Sequence, residues 1–132
     1  MTPVVGHLTI DSADPGTLAA WWGQALGWQE VWRSPDGAEV AIGSPTGGST
    51  NWLFNRVEDA KTVKNRLHAD LRPPDGSDYD TELARLLGLG SVRVDIGQGD
   101  APWAVLADPE GNEFCLLRHT PAEIAAYLTT TD

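Results

Sequence analysis

The feature that most constrains this chain is that it reads the same way twice. Residues 4–11, VVGHLTID, alternate in polarity as a strand does. Asp14-Pro15 then opens a helix, with Asp14 suited to the N-cap and Pro15 to the first turn. Leu18, Trp21, Trp22, Ala25 and Leu26 recur at helical spacing, and Gly27 ends the run. Strands are expected over 28–33, 38–43 and 51–57, separated by Pro35-Asp36-Gly37 and by SPTGGS at 44–49. The order then recurs. A strand over 65–72 leads through PPDGSD to a helix over 79–88, with Leu83, Leu86 and Leu87 on one face. Strands over 91–97, 103–108 and 113–118 follow, the last two joined by the tight turn Pro109-Glu110-Gly111-Asn112. The segment PAEIAAYL reads as a short final helix.

The pattern is βαβββ followed by βαβββ, and an internal repeat of this kind decides the fold class. We expect an α+β chain of two tandem modules whose mixed sheets curl into an open cup or barrel with helices outside. Module one spans 1–60, module two 61–119 and a C-terminal helix 120–132, all within a single domain of 132 residues. Cups of this kind hold ligands.

Charge narrows the partners. Nineteen acidic residues against nine basic ones leave a formal net charge of −10, which opposes binding to nucleic acid or to anionic membranes and favours cationic ligands at long range. No apolar run is long enough to span a bilayer, and MTPVVGHLTI lacks the pattern of a signal peptide, so a cytoplasmic location is the default expectation. Cys115 is the one cysteine, and it has no partner for an intramolecular disulfide.

The candidate chemistry lies on the two module-opening strands. Alternation places His7, Thr9 and Asp11 on one face, and His68, Asp70 and Arg72 on one face. If both faces turn inward, imidazoles, carboxylates and a guanidinium meet a ligand and can position it or move protons. The alternative is that each Asp satisfies a neighbouring Arg or His. Six tryptophans are a heavy load. One of Trp21 and Trp22 is expected in the core, and Trp28 and Trp32 on the same side of one strand. Trp52 and Trp103 are the two assigned to a pocket, where indole offers a flat stacking surface. Lys61, Lys64 and Arg66 form a basic cluster at the module junction, suited either to an anionic group or to a solvated linker.

Three segments carry a family resemblance. HLTIDSADPGTLAAWWGQALGW resembles the opening of glyoxalase-like proteins of the vicinal oxygen chelate superfamily, which includes the bleomycin-resistance proteins. KTVKNRLHADLRPPD resembles the start of their second module, and PWAVLADPEGNEFCLL their closing hairpin. The resemblance implies paired modules, a homodimer and, in the enzymes, a divalent metal (Zn, Ni, Mn or Fe) that acts as a Lewis acid on paired substrate oxygens. It also implies His ligands on the first strand of each module and Glu on the last. His7 and His68 match the first pair. The second Glu position falls seven residues after Asp108, on Cys115, with Glu113 two residues earlier; Trp52 stands near the remaining position.

Three readings follow. The first is a glyoxalase- or bleomycin-resistance-like protein with a degenerate metal centre, binding a small organic molecule through Trp52, Trp103, Thr9, Asp11 and Arg72, with His7, His68, Asp70 and Glu113 as polar groups. The second is a metal-dependent lyase, isomerase or dioxygenase with His7, His68 and Glu113 or Cys115 as ligands. The third is an acid–base enzyme without metal that uses the same His and Asp pairs.

Overall fold

The structure is a computed structural model and describes residues 1–129. It has the expected element order. In the first unit, Met1–Lys61, the elements are β1 (Leu8–Ser12), α1 (Pro15–Leu26), β2 (Gln29–Arg33), β3 (Glu39–Gly43) and β4 (Trp52–Arg56). In the second, Thr62–Asp132, they are β5 (Asp70–Leu71), α2 (Tyr79–Gly88), β6 (Val92–Arg93), β7 (Ala104–Ala107), β8 (Glu113–Leu116) and α3 (Pro121–Thr129). The C-terminal helix expected over 120–132 is present as α3; residues 130–132 lie outside the described residues.

The two sheets have equivalent topologies, β1-β4-β3-β2 and β5-β8-β7-β6. In each, the first strand runs parallel to the last and the other pairings are antiparallel. Two edge strands remain in each, so both sheets are open, and neither is a closed barrel.

Local chemistry accounts for the helices. The Asp14 carboxylate accepts hydrogen bonds from the Thr17 hydroxyl at 2.8 Å and the Thr17 amide at 3.3 Å, capping α1. Gly27 closes the helix at φ 68°, a left-handed conformation that costs a glycine little. Asp78 caps α2 in the same way, accepting from the Thr81 amide at 2.8 Å.

The first core is aromatic and lies where α1 packs across β2, β3 and β4. Register places Val40, Ile42, Trp52 and Phe54 on one face, and Val40, Ile42 and Phe54 are almost wholly buried. Trp22 meets Trp52 edge-on at 5.2 Å, Trp28 meets Trp52 at 5.5 Å, and Trp21 meets Trp22 at 5.1 Å. Both helical tryptophans are therefore core residues. Trp28 and Trp32 do not share a side. A bulge between Glu30 and Trp32 shifts the register, so Trp32 pairs with Ala41 on the opposite face and is 50% exposed.

The second sheet is shorter than its sequence suggests. The strand expected over 65–72 is reduced to Asp70–Leu71, with the ladder extended by Cys115 N–H to Ala69 O at 2.9 Å and Leu117 N–H to Leu71 O at 2.8 Å. The preceding polar stretch lacks apolar alternation, and the Asn65 amide donates to the Glu113 carboxylate at 3.0 Å instead of to a strand. The strand expected over 91–97 is reduced to Val92–Arg93. Side chains take over the backbone there: the Gly97 amide donates to Asp95 and the Ile96 amide to Gln98, each at 2.8 Å. The buried residues of this unit include Leu83 and Leu86 of α2 and Leu106, Phe114 and Leu116 of the sheet.

Hydrogen bonds from Thr17 hold the Asp14 carboxyl below the usual carboxylate range, and those from Thr81 do the same for Asp78. A carboxyl depressed on folding binds fewer protons folded than unfolded. Its stabilisation is present above the ordinary carboxylate range and is lost as pH falls through it. Thermal unfolding followed from neutral pH down to about pH 3 is expected to show a falling midpoint. Asp14→Asn keeps the cap without the charge and should flatten part of that fall, whereas Asp14→Ala should lower the midpoint at every pH. Identical acid limbs in wild type and Asp14→Asn would remove Asp14 from the account.

Candidate functional site

The site is built by one turn and two parallel strands. After β7 the chain reverses through Asp108-Pro109-Glu110-Gly111. The buried Asp108 carboxylate accepts from the Glu110 amide at 2.9 Å, the Asn112 amide at 3.0 Å and the Asn112 side chain at 3.0 Å. Gly111, at φ 85°, completes the reversal. This fixes where β8 begins and hence the register Asp70↔Cys115 across the parallel pair. Residues opposite one another on neighbouring strands present their side chains to the same face. Phe114 and Leu116 turn to the buried face, and Cys115 turns to the other with Asp70.

His68 lies two residues before Asp70, just ahead of β5, and its Nε2 is 3.2 Å from Asp70 Oδ1. His68, Asp70 and Cys115 thus form a row in which each offers one ligand atom within 4.8 Å of the others. His68 and Asp70 are exposed, and Cys115 is buried beneath them. Burial pushes the Cys115 thiol up, and the Asp70 carboxylate pushes it the same way through its charge and by accepting a hydrogen bond from the thiol. Lys64 acts in the opposite direction.

The row is the polar floor of a cavity of about 300 Å³ within the second unit. Trp103, 40% exposed, forms a wall with Ile96 and Leu117, and Gln98 adds an amide. Gln98 is braced by its own loop, accepting from the Ile96 amide and donating to Val94 O at 3.3 Å. Leu117 was within reach of sequence reasoning, since it follows Cys115 by two on the same strand face. Ile96 and Gln98 carried no such signal, because a turn rather than a strand presents them.

Within the second unit the structure brings together three of the expected site residues, His68, Asp70 and Cys115, with Trp103. Glu113 lies two residues from Cys115, and its carboxylate is held by the Asn65 amide. Arg72 lies beyond β5 and reaches away to the His119 carbonyl at 3.1 Å. In the first unit, His7 precedes β1 and is exposed, as are Thr9 and Asp11. By alternation these lie opposite Ile10 and the buried Ser12, on the face that α1 leaves uncovered. Trp52 occupies the other face, packed against Trp22 and Trp28. A position equivalent to a ligand in the resemblance is here part of an aromatic core.

The donor set suits a divalent metal. A tetrahedral ion with bonds of about 2.0–2.3 Å needs donor atoms roughly 3.5 Å apart, which small side-chain rotations can provide here. Imidazole, carboxylate and thiolate are all ligands for borderline-soft ions.

At neutral pH the Cys115 thiol should react slowly with iodoacetamide. Removing the negative charge beside it, in Asp70→Asn, stabilises the thiolate and should move the midpoint of the alkylation rate to lower pH. An unchanged profile in that variant would show that Asp70 does not act on the thiol.

Comparison with known proteins gives this geometry its context. The chain matches the glyoxalase-like domain family over residues 7–117. No curated protein matches it in sequence. Among solved structures, it resembles the fosfomycin resistance protein FosX of Mesorhizobium loti, with a TM-score of 0.67, 18% identity and coverage of 96% of this chain and 99% of that one. A glyoxalase/bleomycin resistance protein/dioxygenase family enzyme from Burkholderia phytofirmans gives 0.65 at 20% identity, covering 84% and 94%. A FosX variant from Listeria monocytogenes, complexed with Mn(II) and 1S,2S-dihydroxypropylphosphonic acid, gives 0.66 at 17% identity, covering 96% and 99%. With the family matched over most of its length and the paired βαβββ fold shared with these structures, the chain belongs to the glyoxalase-like domain family of the vicinal oxygen chelate superfamily.

Proposed function

We propose that the protein binds a small organic molecule in the cavity of its second unit. The observation that carries this is the pairing of an apolar wall, Trp103, Ile96 and Leu117, with a polar floor of His68, Asp70 and Cys115 in a space of about 300 Å³. That combination supplies contact area and fixes orientation at once. Trp103 stacks on a planar or apolar part of the ligand. Asp70 and His68 hold its polar end, and Gln98 offers a further amide. The residues lining the cavity include a carboxylate and no Lys or Arg, and the chain carries a charge of −10. The ligand is therefore neutral or cationic, in contrast to the phosphonate held by the Listeria relative.

A second reading is favoured by the proximity of the three donor atoms. In a metal-dependent lyase, isomerase or dioxygenase, His68, Asp70 and Cys115 would hold a divalent ion, which supplies Lewis-acid polarisation of the ligand's oxygens when bound. In this reading Trp103 and Gln98 orient the molecule over the floor and Leu117 helps to exclude water. The homodimer implied by the resemblance accompanies both readings.

A panel of planar amines, neutral aromatics, aromatic carboxylates and phosphonates separates these ideas from a protein with no ligand site. Amines or neutral members are expected to raise the unfolding temperature and to bind in calorimetry, with the carboxylates and phosphonates weaker. Trp103→Ala should cost about tenfold in affinity for the best binder. If no member binds, or if Trp103→Ala binds as wild type does, the cavity is not the site.

A further inference from the structure

The resemblance distributes metal ligands over both modules and over imidazole and carboxylate groups alone. Within the second unit alone, an imidazole, a carboxylate and a thiol already converge. We propose that His68, Asp70 and Cys115 form a self-contained site within the second unit for one sulfur-ligated, zinc-type ion, and that this site discriminates against Mn(II) and Mg(II). The proposal builds on the reading of this cavity as the functional site, but it does not require an organic ligand.

Four observations support it. Asp70 and Cys115 come from two adjacent strands whose pairing is fixed, and His68 from the residues just ahead of β5, so all three donors lie in the second unit. Their ligand atoms already lie within 4.8 Å of one another. Glu113, the carboxylate that would make a harder oxygen-rich set, is engaged by the Asn65 amide at 3.0 Å. The three donors border an open cavity, which leaves a fourth position for water or a ligand atom.

Chemistry then selects the ion. A thiolate and a carboxylate together neutralise a divalent cation, and a neutral imidazole completes three protein ligands, as in catalytic zinc sites with one open position. Thiolate favours Zn(II) and Co(II), whereas Mn(II) and Mg(II) favour oxygen and higher coordination numbers.

The test uses the full chain purified without a metal-affinity tag, stripped of ions with a chelator that is then dialysed away. Co(II) is titrated in while absorption is recorded. We expect saturation at one Co(II) per chain, with a sulfur-to-cobalt charge-transfer band in the near ultraviolet. Zn(II) should abolish the band at stoichiometric addition, whereas Mn(II) and Mg(II) should fail to do so at about 100-fold excess. Cys115→Ser should lose the band. Asp70→Asn and His68→Ala should weaken Co(II) binding by about tenfold or more. Thermal unfolding of each variant shows whether it is folded, and the preference of the wild type for Zn(II) over Mn(II) stands as a measurement independent of them.

Four results would overturn the proposal: no Co(II) binding, Co(II) binding without the sulfur band, displacement by Mn(II) as readily as by Zn(II), or loss of the band in His7→Ala. Repeating the organic panel on the ion-free chain separates the two readings. Organic binding without Co(II) binding would sink the metal site alone. Co(II) bound with a sulfur band and no organic binding would sink the small-molecule reading alone.

Discussion

The second unit depends on the bonds that Asp108 makes to the turn that follows it. A buried carboxylate is costly unless its oxygens are satisfied, and here backbone amides and the Asn112 side chain satisfy them. The turn therefore has one geometry, and β8 starts at one residue. Strand registers are unforgiving: a slip of one residue would send Cys115 to the buried face and bring Phe114 beside Asp70. The turn acts on the floor of the cavity through this register, although none of its residues lines that cavity.

The two units use the same strand order for different ends. In the first, α1 lies on β2, β3 and β4, and large indoles fill the space between. Trp52 belongs to that packing because its register partner Ile42 faces the helix. In the second, the equivalents of the long first strand and of the second strand are reduced to two residues each. The freed backbone is used elsewhere: loop residues 94–99 fold onto their own side chains and present Ile96 and Gln98 to the cavity. A shortened sheet leaves fewer ladder bonds, but it gives the cavity a wall.

The repeat made the fold legible. Period-two and helical patterns, with Asp14, Gly27, Asp78 and the Asp108 turn as punctuation, located each element to within a few residues except in β5 and β6. Alternation alone overestimates those two, because it does not reveal a side chain that competes for the backbone, as Glu113 does at Asn65 and Asp95 does at Gly97. The site was legible only in part. His68, Asp70, Cys115 and Trp103 converge, whereas Arg72, on the expected face by count, leaves for His119 once β5 has ended. The bulge beside Trp32 has no marker such as glycine, so its reversal of face could not be read from spacing. Glu113 shares a strand face with Cys115 by count, and sequence alone does not reveal that the Asn65 amide engages its carboxylate.

The same reasoning explains why a cysteine can stand where the resemblance implies a glutamate without leaving the floor empty. Cysteine is short, and its sulfur stays close to β8, near the Asp70 carboxylate on the neighbouring strand. A glutamate in that place would put two carboxylates side by side, and each would oppose ionisation of the other. The pairing of Asp70 with a neutral thiol avoids that repulsion in the ion-free protein, because the thiol can donate to the carboxylate. A divalent cation reverses the balance, since both groups can then be anionic around it. The acidic residue on β5 and the cysteine on β8 thus act as one hydrogen-bonded pair, whose two groups would both be anionic if they held a cation.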